Sequence, residues 1–133
     1  MYSITVRNNI LIAHSLPGVV FGPAQNMHGA TYIVDAEFFA EKVNKYNIIM
    51  DLGVVTDILS EVLKFYSYKN LDEVDEFKGV ITSTEFLAKD IYDRICLNLK
   101  SNYFNDYQLL HKLKITLTES NVAWASFEQE IEK

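Results

Sequence analysis

Cysteine is nearly absent: Cys96 is the only one in 133 residues, so no disulfide framework can form within the chain. Its place in a helical pattern marks it as a small core residue rather than a nucleophile. Proline (2) and glycine (5) are also scarce, and no linker, repeat or low-complexity stretch interrupts the chain. No apolar run approaches the ~20 residues that a membrane-spanning helix needs. Basic residues number 12 against 18 acidic ones, a net charge of −6. They are scattered, whereas nucleic-acid binding needs a clustered positive surface. Glycine-rich phosphate loops, HExxH and nucleophile elbows are missing as well. The expectation is one domain over residues 1–133 with no targeting segment, in a reducing cytoplasm, with neither nucleic acid nor membrane as partner.

What the chain does have is apolar material, 49% of residues with 13% aromatic, enough for one core in a domain of this size. Residues 2–15 alternate as a strand, with Tyr2, Ile4 and Val6 on one face; Asn8-Asn9 interrupts as a bulge before Ile10, Ile12 and His14 resume. A loop with Pro17, Gly18, Gly22 and Pro23 leads to a second alternating run, His28, Ala30, Tyr32, Val34, Ala36 and Phe38. Asp51 suits a helix N-cap, followed by Leu52, Val55, Ile58, Leu59, Val62 and Tyr66 at helical spacing. Thr82 and Glu85 have capping-box spacing ahead of a second stripe, Ala88, Ile91, Tyr92, Ile95 and Leu99.

Two strands close the chain. Leu113, Ile115, Leu117 and Glu119 share a face, Ser120-Asn121 turns, and Val122 to Phe127 returns. The pattern predicts an α+β fold: a four-stranded antiparallel sheet, ordered strand-strand-helix-helix-strand-strand, with both helices on one face. Such a small sheet leaves edge strands bare, so pairing between subunits into a homo-oligomer is expected.

Three histidines could carry chemistry. A hairpin closing around residues 15–27 brings His14 and His28 together at one end of the sheet, as the start of a zinc site or as satisfied polar residues. Catalytic zinc usually takes three protein ligands. His111 is a poor third, because the strand that follows it carries it about 26 Å from Glu119, at ~3.3 Å per residue. Glu119 lies in the inward register of an apolar strand, or else in solvent at the strand end. A carboxylate there matches a guanidine-like ligand edge with two parallel N–H donors. Glu85 fits the capping box first and ligand contact second.

These residues resemble a known family. Ala13-His14-Ser15-Leu16, Asn26-Met27-His28-Gly29 with Thr31-Tyr32, Ile49-Met50-Asp51-Leu52-Gly53, Lys69-Asn70-Leu71, Thr82-Ser83-Thr84-Glu85-Phe86-Leu87-Ala88 and Thr118-Glu119-Ser120 follow, in order, the motifs of 6-pyruvoyl- and 6-carboxytetrahydropterin synthases. The resemblance implies a tunnelling fold (T-fold), assembled as a trimer or stacked trimers with sites at subunit boundaries. It implies zinc on three histidines and proton transfer by a Cys, an Asp and a His on 7,8-dihydroneopterin triphosphate. The products are 6-pyruvoyltetrahydropterin, or 6-carboxytetrahydropterin on the queuosine route. It assigns His14 and His28 to metal, and Glu119, Thr84 and Glu85 to the pterin. The sequence departs from the family at Ala24, where the Cys would stand, and at Ala30, which replaces the third zinc ligand. Ser67 and Tyr68 fall at the Asp-His dyad and are the remaining catalytic candidates. The expectation is a divergent lyase of this type, a bacterial 6-carboxytetrahydropterin synthase homologue with an altered site. The alternative is a T-fold protein that binds a pterin-like or purine-like ligand without that reaction.

Overall fold

A computed structural model describes residues 1–133. Strong alternation produces two thirteen-residue strands, β1 (Tyr2–His14) and β2 (His28–Ala40). They pair antiparallel without interruption, from Tyr2 opposite Ala40 to His14 opposite His28. The bulge expected at Asn8-Asn9 is not formed, because the register runs straight through Asn8↔Val34 and Asn9↔Ile33. Asn8 keeps its place in the alternation and is exposed, beside the end of the first helix in an open depression lined also by Ser60, Leu63 and Lys64. The loop between the strands holds a 3₁₀ segment, Val19–Gln25. Leu16 N–H donating to the Ala24 carbonyl at 3.0 Å ties its ends.

Helix α1 (Leu52–Leu63) starts at Asp51, whose side chain accepts from Val54 N–H at 2.9 Å. A two-residue strand, β3 (Lys69–Asn70), then runs parallel to β1 at Ile12–Ala13. Helices α2 (Thr84–Asn102) and α3 (Phe104–Leu109) precede β4 (Lys112–Ser120) and β5 (Ala123–Glu130). The sheet therefore has five strands, ordered β3-β1-β2-β4-β5, rather than four. The addition is small because only two β3 residues pair. The end of β4 carries a register shift between Thr118 and Ser120, at Glu119.

α1 covers β1, α2 covers β4 and β5, and the two helices touch each other. Even-numbered residues of β1 and β2 and odd-numbered residues of β4 point into this layer. Ile10, Val34, Phe38, Leu113, Ile115 and Leu117 are wholly buried against Val55, Leu59, Leu87, Ile91 and Ile95. Each such apolar side chain contributes about 1.5–3 kcal/mol by leaving water. The helix-free face is polar: Arg7 pairs with Asp35 at 2.7 Å, Ser3 donates to Glu37 and Lys112 pairs with Glu128. No helix is long and apolar enough to cross a membrane. Cys96 is half-buried beside the core, and burial pushes its thiol up to about 11. It is therefore a protonated packing residue, as its pattern predicts.

Candidate functional site

The straight register of the first hairpin decides where the imidazoles go. His14 and His28 are the last pair of the ladder, and their rings meet edge-to-face with centroids 4.6 Å apart. His14 is buried to 1% exposure, and its Nδ1 lies 3.0 Å from the Thr82 hydroxyl. Thr82 is equally buried. Burial lowers the His14 pKa, the adjacent His28 lowers it further, and the Asp72 charge opposes both. Asp72 is held by Ser15, which donates through its backbone N–H at 3.1 Å and its hydroxyl at 2.5 Å. His28 is half-buried, with Nδ1 2.9 Å from the Asn26 carbonyl.

Thr82 does not form the expected capping box. The N-cap of α2 is Ser83, whose Oγ accepts from Phe86 N–H at 3.1 Å. The chain needs Thr82 inside, where a buried imidazole requires a partner. This frees Glu85 from the capping role.

Two residues along β2 from His28 comes Ala30, and two further Tyr32, all on the helix side. Tyr32 is 1% exposed, with its hydroxyl 3.4 Å from Thr84 Oγ1. Burial raises its pKa, the Thr84 contact lowers it, and the charges of Glu119 and Glu85 raise it again. Glu119 follows Thr118, which pairs with Ile33, so it lies beside Tyr32 at the end of β4. It is exposed there rather than buried, as is Glu85. No ion pair within the chain involves either carboxylate. One rim of the sheet thus gathers His14, His28, Thr82, Tyr32, Thr84, Glu85 and Glu119. Sequence reasoning missed Tyr32 and Thr82 as members. The alternation His28-Ala30-Tyr32 was the signal for the first, while Thr82 was masked by its capping-box spacing.

Ser67 and Tyr68 stand elsewhere. They line the open depression with Asn8, Asn9 and Leu11 on the outer side of β1. Tyr68 is 85% exposed and left-handed, with φ 61°, its N–H donating to the Leu11 carbonyl at 2.6 Å. Within one subunit neither touches the histidines. His111 is at the opposite end of the sheet, 3.5 Å from Glu130 and 3.9 Å from Glu41, as its position before β4 predicts.

The fold recurs in known proteins. The family model described as 6-pyruvoyl tetrahydropterin synthase matches residues 3–130. The chain belongs to the 6-pyruvoyl tetrahydropterin synthase family. A 6-pyruvoyl tetrahydrobiopterin synthase of Dictyostelium discoideum is 30% identical over 104 residues, covering 77% of this chain and 72% of that protein. Among solved structures, the Caenorhabditis elegans 6-pyruvoyl tetrahydropterin synthase superposes with a TM-score of 0.80 at 21% identity, over 96% of this chain and 95% of that one. The Plasmodium falciparum synthase gives 0.78 at 14% identity, over 98% of both. These two likenesses are of fold, and they make the domain a T-fold.

Enzymes of the synthase family are lyases, and the resemblance brings zinc with it. The donor set here does not fit a three-histidine zinc site. His14 and His28 supply two nitrogens, Ala30 supplies none, and no group of three or more His, Cys, Asp or Glu side chains stands close enough to hold a metal ion.

Proposed function

We propose that the chain binds a pterin, or a purine-like ring of similar shape, at the rim formed by His14, His28, Tyr32, Thr84, Glu85 and Glu119. The carrying observation is that two carboxylates without an ion pair flank the Tyr32–Thr84 contact on the same face as the histidine pair. A cyclic guanidine edge offers paired N–H donors to a carboxylate, and such charge-assisted bonds are the stronger kind. Glu119 at the strand end is the anchor, with Thr84 and Glu85 beside it. The imidazoles then face the substituent of the ring and can exchange protons with it.

The reaction that suits this site is a lyase step on 7,8-dihydroneopterin triphosphate or a related pterin, by a modified route. A bacterial 6-carboxytetrahydropterin synthase homologue of the queuosine pathway is the specific reading. Ala24 has no ionisable proton where the family's Cys would act, so His14 and His28 carry the proton chemistry available within one subunit. Ser67 and Tyr68 reach a site only across a subunit boundary. Bare sheet edges support association with further copies, and the family resemblance makes that a homotrimer or stacked trimers, in which Tyr68 of one copy would approach the rim of the next. Binding of a pterin-like ligand without turnover is the second reading, favoured by Ala24 and Ala30.

Titration calorimetry with 7,8-dihydroneopterin tests the binding. Glu119→Ala should weaken affinity at least about tenfold, the loss of one charge-assisted pair, with circular dichroism unchanged. Equal affinity would remove Glu119 from the site. Incubation with 7,8-dihydroneopterin triphosphate, followed by chromatography for a tetrahydropterin, separates the lyase from the inert binder.

A further inference from the structure

The mismatch between the histidine pair and a metal site has its own consequence. The His28 Nδ1 lies 2.9 Å from a carbonyl oxygen, that of Asn26. A carbonyl only accepts, so this nitrogen donates a ring proton, and Nε2 is the nitrogen left to meet a ligand. His14 has its Nδ1 committed to Thr82 at 3.0 Å in a buried pocket, which leaves its Nε2 as the outward atom. With centroids 4.6 Å apart, the two rings are close enough to address one shared group. A metal would need further vertices. Catalytic zinc takes three protein ligands and an open fourth position, and affinity collapses as ligands are removed. The next side chain on the same face of β2 is Ala30, opposite Ile12, and a methyl group has no lone pair.

We propose that His14 and His28 act as a metal-free hydrogen-bonding pair that grips a polar group of the ligand directly, and that Ala30 is the one position separating this arrangement from a zinc site. The ligand's identity rests on the pterin reading above, but the metal claim does not.

Elemental analysis of protein purified without chelator, from zinc-supplemented medium, gives the first result. The natural chain should carry well under about 0.1 zinc per subunit. Ala30→His should carry about one, matching a completed three-ligand set, and adding His28→Ala to it should abolish the gain. Ala30→Cys is the smaller substitution and provides a thiolate ligand if the histidine variant does not fold. A natural chain that retains close to one zinc, lost on His28→Ala, overturns the proposal. So does a folded Ala30→His and a folded Ala30→Cys that both stay metal-free.

Calorimetry with 7,8-dihydroneopterin, with and without EDTA, gives the second result. Affinity should be unchanged by the chelator, while His28→Ala weakens it about tenfold, the scale of one lost hydrogen bond to a polar group. A tenfold loss caused by EDTA would overturn the metal-free claim. Affinity unchanged in His28→Ala would overturn the grip. If no pterin binds at all, the pterin reading falls, and the zinc content of the natural chain and its variants still decides whether the pair is a metal site.

Discussion

Thr82 shows how much a single hydroxyl can determine. It is buried with His14 and is the hydrogen-bonding partner of the imidazole Nδ1. Thr82→Val preserves shape but leaves that nitrogen without a partner, so urea denaturation should show a loss of about 1–3 kcal/mol. His14 itself should register in the pH dependence of stability. Burial and the His28 ring lower its folded pKa from the ordinary 6.5, so the unfolded chain binds the proton more readily. Its contribution is therefore whole above the unfolded value and is lost as pH falls from there through the folded pKa. Comparing urea midpoints at pH 8 and pH 5 should show a smaller acid loss in His14→Gln than in the natural chain. The meeting of His14 with His28 was legible in the sequence, because period-two alternation on both sides of a Pro- and Gly-bearing loop leaves one closure. The Thr82 contact was not, since it spans 68 positions and competes with a local capping pattern that fits equally well on paper.

Among the elements, long amphipathic segments were legible and short ones were not. Leu52–Leu63 and Thr84–Asn102 declare themselves through apolar stripes and caps. β3 has two residues and no period to read. It exists because the left-handed turn at Tyr68 aims the next peptides along β1, an arrangement that only tertiary contact stabilises. Asn8 misled in the other direction. A polar residue inside an alternating run reads as an interruption, yet its side chain only emerges past the margin of α1. The cap of α2 carries a direct prediction. Ser83→Ala removes the acceptor for Phe86 N–H and should cost about 0.5–2 kcal/mol in thermal or urea unfolding. Glu85→Ala should leave stability within about 0.5 kcal/mol, as an exposed residue outside any cap does.

For the molecule as a whole, the outer edges of the sheet set the expected state in solution. β3 covers β1 only at Ile12–Ala13, and β5 has no strand beyond it. Unpaired strand edges are templates for another chain. The edges call for further copies and the family resemblance gives their number, so light scattering should return a mass of three or six times the 15.3 kDa chain; a steady monomer would remove the subunit-boundary site and any part in it for Ser67 and Tyr68. The unbroken ladder from Tyr2 to His14 has one more effect. With no bulge to absorb a slip, deleting any single residue of β1 ahead of His14 would turn the residues on one side of the cut inside out relative to β2. Length changes within these two strands should thus be tolerated only in twos, or as matched losses such as Asn8 together with Val34, so the imidazole rim can be traced through distant relatives by counting parity.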